Sequence, residues 1–202
     1  MSIQYTYNQI SKEFSDTRYR VWKSVSRFLD SIELNTKNAE IGCGNGKNMK
    51  YRLELDFIGL DICENFVDIC KQSNLNVIHG NILSIPFESN YFDNVLSIAV
   101  IHHLENQQDR EKAISELIRI TKPGGRILIY VWAFEQDETS KRKFDKQDVI
   151  IPFRLKNSDK SFDRFYHLYV KGELENELKN EKVMIEQVGY ELSNHFVIIK
   201  KI

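Results

Sequence analysis

Cysteine is scarce, charge of either sign is nearly cancelled, and no apolar stretch is long. The chain has three cysteines in 202 residues, Cys43, Cys63 and Cys70. They make neither a disulfide framework nor a zinc set at C-x-x-C spacing. Reduced thiols in the cytosol or nucleus are the expectation. Lys plus Arg number 28 against 29 for Asp plus Glu, a net charge of −1, so no global basic field announces a nucleic acid. A reader of nucleic acid with this composition needs local basic patches or a helping subunit. No apolar run approaches the roughly 18–20 residues of a membrane helix. The opening Met1-Ser2-Ile3-Gln4-Tyr5 has no signal-peptide core. Internal repeats and low-complexity segments are also lacking. What remains, 42% hydrophobic and 28% charged, suits one compact intracellular domain, 1–202, with its own core.

The stretch that organises the rest is Glu40-Ile41-Gly42-Cys43-Gly44-Asn45-Gly46-Lys47. Glycine permits positive φ and lets a ligand lie on bare backbone. The spacing is G-x-G-x-G, and Lys47 stands where a dinucleotide fingerprint has its third glycine. The pattern resembles the first motif of class I methyltransferases, whose ligand is S-adenosylmethionine. Asp61 follows Glu40 by 21 residues, at the end of the apolar run Phe57–Leu60. A carboxylate there either accepts from two ribose hydroxyls or caps the next helix.

Around this motif the apolar spacing predicts two helices within 3–31, broken at Ser15–Arg20. It predicts strands at 37–41, 57–61, 74–79, 91–100 and 127–133, with helices over 45–53, 64–73 and 107–121. Residues 134–163 show no clear period, and an irregular run of that length in a compact domain is usually functional or disordered. Its Lys141, Arg142, Lys143 and Lys146 are either a solvated face or a phosphate patch. A short helix (173–178) and two closing strands, 182–187 and 194–200, finish the chain. His102 and His103 follow the central strand, where open α/β sheets bind ligands. They either touch substrate or pack. Arg110 is either a solvated charge or a ligand.

Several pieces together are similar to one narrower family. They are Phe14-Ser15-Asp16-Thr17-Arg18-Tyr19, the glycine motif, Ser97 to His103, Tyr130-Val131-Trp132-Ala133 with Glu135-Gln136, Gln147-Asp148-Val149 with Pro152, and Arg164-Phe165-Tyr166-His167. The chain resembles, from about residue 5 to its end, the eukaryotic tRNA wobble-uridine carboxymethyl methyltransferases. The resemblance implies a Rossmann-like α/β fold with a seven-stranded, mostly parallel sheet, one antiparallel closing strand, helices on both faces and an N-terminal helical cap. It divides the chain into a cap (1–34), a cofactor-binding core (35–133), a substrate-side insertion (134–171) and a closing helix and hairpin (172–202).

It also implies transfer of a methyl group from S-adenosylmethionine, leaving S-adenosylhomocysteine, to the carboxylate of 5-carboxymethyluridine in the tRNA anticodon loop. The partner it implies is a small zinc-binding activator subunit docked on the third-strand edge. Glu40, Gly42, Cys43, Gly44, Gly46, Asp61, Ile62, Asn81, Ile82 and Ser97 are then the cofactor residues. Asn81 stands where an Asp is usual and keeps only a neutral acceptor for the adenine amino group. Arg18, Arg110 or Arg164 would grip the carboxylate or a phosphate. Tyr19, Trp132, Tyr166 and His167 would stack on the base or pack the lid, and His103 and Glu135 complete the substrate side. A small-molecule methyltransferase and a non-catalytic cofactor-binding scaffold are the competing expectations.

Overall fold

The structure, a computed structural model, describes residues 2–138, 140–156 and 158–202. Its elements in chain order are α1 (Ile3–Asp16), α2 (Lys23–Asp30), β1 (Lys37–Ile41), β2 (Asp56–Asp61), α3 (Glu64–Gln72) and β3 (Val77–His79). Then come β4 (Phe92–Ile98), α4 (Gln107–Ile120), β5 (Thr121–Trp132), β6 (Asp148–Arg154), β7 (Ser161–His167), α5 (Glu173–Glu177), β8 (Val183–Glu191) and β9 (Asn194–Lys201). Seven strands form one sheet in the order β3-β2-β1-β4-β5-β9-β8. Only β9 runs against its neighbours, which makes this the expected mixed sheet with one antiparallel strand.

Period-2 alternation on β5 sends Ile127, Ile129 and Val131 into the core under α4. Leu128 and Tyr130 go to the opposite face, under α2 and α3. Both faces of the sheet are therefore covered, as a parallel sheet requires. The N-terminus of α1 is capped by the Ser2 hydroxyl, which accepts from Tyr5 N at 3.3 Å. That of α4 is capped by Asn106 Oδ1, accepting from Asp109 N at 2.8 Å. α2 begins later than the Ser15–Arg20 cluster suggests, because its cap comes from far along the chain. The Glu191 carboxylate accepts from Lys23 N and Ser24 N at 2.8 and 2.9 Å, an anion on the positive helix end.

Two expectations are corrected. The helix over 45–53 is only a four-residue 3-10 turn, Met49–Arg52. Gly44 and Gly46 hold φ of +54° and +71°, so no right-handed helix can start before residue 47. The stretch 134–163 is not structureless throughout either. β6 pairs with β7 as a separate antiparallel hairpin, Asp148 opposite His167 through Arg154 opposite Ser161. Exposure alternates strictly along β6, with Val149, Ile151 and Phe153 turned inward. Ile150, apolar but 62% exposed, hides that alternation in the sequence.

Candidate active site

The carboxyl ends of β1, β2 and β4 open onto a cleft, and the glycine loop after β1 forms its floor. The loop is pinned to β2. Gly42 N and Cys43 N donate to Leu60 O at 2.7 and 3.1 Å. Gly44 N donates to Asp61 Oδ2 at 2.7 Å, while Asp61 Oδ1 accepts from Cys63 N at 2.8 Å. Asp61 thus orders the loop and the start of α3 together, and its carboxylate still lines the cleft. Burial raises its pKa, against the pull of those N–H groups. At Gly42 a side chain would be strained: φ is +77° and a Cβ would lie 2.3 Å from Val100 Cγ2, which would have to move. At Gly44 a Cβ would meet nothing within 4 Å, so bare backbone faces the open cleft.

Glu40 is 2% exposed. Its Oε1 accepts from Asn48 Nδ2 at 2.6 Å, and its Oε2 is buried without a partner. Burial pushes its pKa up to about 7. The bare glycine, the orphaned carboxylate oxygen and the Asp61 carboxylate beside them fit a ligand with hydroxyls and a cationic group.

The cleft's other wall is α1, which contributes Ile3, Tyr7 and Phe14, with Arg18 just beyond. Tyr7 joins the wall to the site's mouth. The His103 Nδ1–H donates to Phe165 O at 2.9 Å, because a carbonyl can only accept. His103 Nε2 therefore accepts from the Tyr7 hydroxyl, also at 2.9 Å. His102 Nδ1 accepts from Trp132 N at 2.8 Å. Burial holds both imidazoles neutral, His103 down to about 4 and His102 well below its ordinary value. Tyr166 sits against them, its ring centre 4.5 Å from His103 and 4.8 Å from Trp132.

Arg164 lies in this aromatic cluster, its Cζ 5.3 Å from the rings of both Tyr166 and Phe153. It is 6% exposed, its Nε has no hydrogen-bond partner, and among the described residues no carboxylate pairs with it. A buried guanidinium left in that state is costly unless an anion arrives.

The comparisons agree with this geometry. Residues 39–129 match a methyltransferase domain model. Over 98% of this chain, and 96% of the relative, the sequence is 37% identical to the tRNA (carboxymethyluridine(34)-5-O)-methyltransferase of Schizosaccharomyces pombe. The chain belongs to that family. A second member, from Xenopus tropicalis, is 32% identical over 97% of this chain but is matched over only 40% of its own length. Among solved structures, a Thermotoga maritima SAM-dependent methyltransferase aligns with a TM-score of 0.72 at 16% identity, covering 99% of this chain and 100% of that one. A putative methyltransferase of Haloferax volcanii, solved in complex with the Trm112 activator, aligns with a TM-score of 0.74 at 14% identity over 98% and 97%. These two show the fold. The cofactor of this methyltransferase is S-adenosylmethionine.

The methyltransferase brings most of the expected cofactor residues to the cleft: Glu40, Gly42, Cys43, Gly44, Asp61, Ile62, Asn81 and Ile82 line it. Asn81 Oδ1 accepts from Leu83 N at 2.9 Å, closing its own turn. Gly46 lies just under the floor, where a Cβ would meet Leu75 Cδ1 at 2.4 Å. Ser97 is not in the cleft. It is fully buried inside β4.

Of the residues expected on the substrate side, Arg18 and His103 line the cleft, while Tyr166 packs behind His103 and carries Trp132 and Arg164 against its ring. Tyr19 is 70% exposed and sits beside Arg20. Three others are engaged elsewhere. Arg110 is buried against Glu177, with Nε to Oε1 at 3.4 Å, and donates to Leu104 O. Glu135 accepts from Lys171 N and pairs with His195, tying the chain after β5 to β9. His167 is clamped between Asp148 at 2.6 Å and Glu173 at 2.7 Å, buried, with little surface to offer a base. Burial works against charge on it, but the two carboxylates outweigh that and raise its pKa.

Sequence reasoning passed over Tyr7, Trp22, Lys47 and Asn48, which also line the cleft. Tyr7 reads as one more apolar position of an amphipathic helix. Only its hydroxyl, 96 residues from His103, marks it out.

Proposed function

We propose that this chain methylates the carboxylate of 5-carboxymethyluridine at the tRNA wobble position, forming the methyl ester. The observation that carries the reading is Arg164, a buried guanidinium that no carboxylate meets among the described residues, packed on Tyr166 directly behind His103 of the cofactor cleft. The names of the Schizosaccharomyces pombe and Xenopus tropicalis relatives support it.

The nucleophile, with a carboxylic pKa of roughly 4, is already an anion at neutral pH and needs no base. Neutral His102 and His103 fit that chemistry, since neither is asked to take a proton. Arg164 would orient the carboxylate through its planar fork. Bound S-adenosylmethionine supplies the methyl group as a sulfonium. Methylation of a carboxylate by a sulfonium would cancel both charges, so the rings of Phe153, Tyr166 and Trp132 around Arg164 would favour it by keeping water out. Arg164 and the rings beside it would hold the acceptor in one orientation, which would supply several kcal/mol more. Trp132, Tyr166 and exposed Tyr19 are the rings on which a splayed-out wobble base would stack. Lys141, Arg142, Lys143 and Lys146 flank these rings in sequence as phosphate contacts, and the Arg142 guanidinium already lies 5.1 Å from the Trp132 ring.

A small zinc-binding activator subunit on the β3 edge belongs to the same reading. β3 is three residues long and, among the described residues, pairs with β2 alone, and the Haloferax volcanii neighbour was solved with an activator. The three unpaired cysteines are compatible with a reducing compartment, the cytosol or nucleus.

The test uses labelled S-adenosylmethionine and tRNA bearing 5-carboxymethyluridine, with and without an activator subunit. Methyl ester on that tRNA alone supports the reading. Cofactor binding with no tRNA methylated under either condition sinks it and moves a small-molecule substrate or a scaffold role to the front.

A further inference from the structure

The wall of the cleft beside Glu40 carries a second unmatched charge. Lys47 follows the last loop glycine directly, is half-buried and lines the cleft. Its Nζ stands 5.0 Å from the Trp22 ring centre, a placement that favours a cation over water alone. No carboxylate lies within ion-pair distance of it among the described residues, Glu40 included. Yet Glu40 is near enough to counteract the burial that lowers the Lys47 pKa. An ammonium has three donors and no acceptor, and none of the three has a hydrogen-bond partner among the described residues.

One end of the cleft therefore presents an orphaned carboxylate oxygen, Glu40 Oε2, and an unpaired ammonium, Lys47 Nζ, close together but not on each other. Two such groups left apart match a ligand that carries both opposite charges on one carbon, a free α-amino acid. We infer that Lys47 binds the α-carboxylate at the amino-acid end of the cofactor, across from the ammonium that Glu40 Oε2 would take. Trp22 steers the lysine: its ring backs the ammonium and itself packs on Tyr130, with ring centres 5.2 Å apart. Arg18, the other cation on this wall, is exposed and donates to Thr17 Oγ1 at 3.0 Å, which leaves Lys47 the better-placed partner. The inference rests on the cofactor reading but not on the identity of the methyl acceptor.

Titration calorimetry tests it with two ligands, S-adenosylhomocysteine and its decarboxylated analogue, on wild type, Lys47→Met and Lys47→Arg. Lys47→Met keeps an unbranched stem over Trp22 and removes the charge. The expected result is a loss of about tenfold in affinity for S-adenosylhomocysteine in Lys47→Met. The decarboxylated analogue should change by less than about twofold, and Lys47→Arg should restore most of the loss. A misfolded variant would lose both ligands alike, so the pair of ligands separates structure from recognition. Equal losses on both, or no loss on either, overturn the inference. No loss in Lys47→Met with a carboxylate-specific loss in Arg18→Met would hand the role to Arg18 and overturn it as well. If wild type binds neither ligand, the cofactor reading falls, a result distinct from those.

Discussion

The cofactor end and the substrate end of this cleft are built by different means. The cofactor end is backbone: glycines at φ of +77°, +54° and +71° within five residues, with N–H groups pinned to Leu60 O and the Asp61 carboxylate. The substrate end is side chains from distant segments. Tyr7 of α1 meets His103, His103 meets Phe165 of β7, and Arg164 and Tyr166 pack beside them. A site made of backbone tolerates almost no change at its few special positions. One made of side chains degrades piece by piece. Binding of the cofactor and chemistry on the acceptor should therefore be separable by mutation.

The largest effect is expected from Gly42→Ala. The added Cβ meets Val100 at 2.3 Å in a left-handed backbone, so cofactor affinity should fall on the order of 100-fold, with a lower melting temperature. Calorimetry and thermal unfolding would check both. Arg164→Met comes next, at the other end. The single-turnover methylation rate should drop about 100-fold while the cofactor Kd stays within twofold. A matching loss of cofactor affinity would break the separation of the two ends.

The third contrast is in pH. With its pKa near 7, Glu40 is mostly protonated in the free protein at pH 6 and ionised at pH 8. Cofactor affinity should tighten about tenfold across that window, and Glu40→Gln should flatten it. The sign for stability is opposite. A raised carboxyl stabilises the free protein below about 4.5, and that contribution is lost as pH rises through 7. At saturating cofactor the single-turnover rate should stay flat from pH 6 to 8.5, since no base is used and both histidines are neutral. A steep rise in that rate would argue against a carboxylate nucleophile. The smallest effect is Tyr7→Phe. It leaves His103 Nε2 without its donor, for a loss of about 1 kcal/mol in stability and a few-fold in rate, with cofactor affinity unmoved.

The same division explains what could be read before the structure. Gly42, Gly44, Gly46 and Asp61 are legible because each answers a local backbone demand that few residues meet. The apolar runs at 57–60 and 127–133 make β2 and β5 legible, whereas β1, Lys37–Ile41, is half polar and the make-up of the sheet came from the resemblance. The β6–β7 hairpin was obscured by exposed Ile150, and the cap on α2 by the 167 residues between Ser24 and Glu191. Arg110, Arg164 and His167 are indistinguishable in sequence as lone cations. Burial with or without a carboxylate separates them: Glu177 holds Arg110, Asp148 and Glu173 hold His167, and among the described residues no carboxylate holds Arg164.

That last difference also bears on turnover. Where Arg164 receives a carboxylate, the incoming acid settles a charge the protein buries at a cost. Methylation erases the anion and leaves the guanidinium uncompensated again. The ester should accordingly leave more readily than the acid arrived. Unmodified uridine and finished tRNA would then be weak competitors for the enzyme in a pool where they far outnumber the substrate.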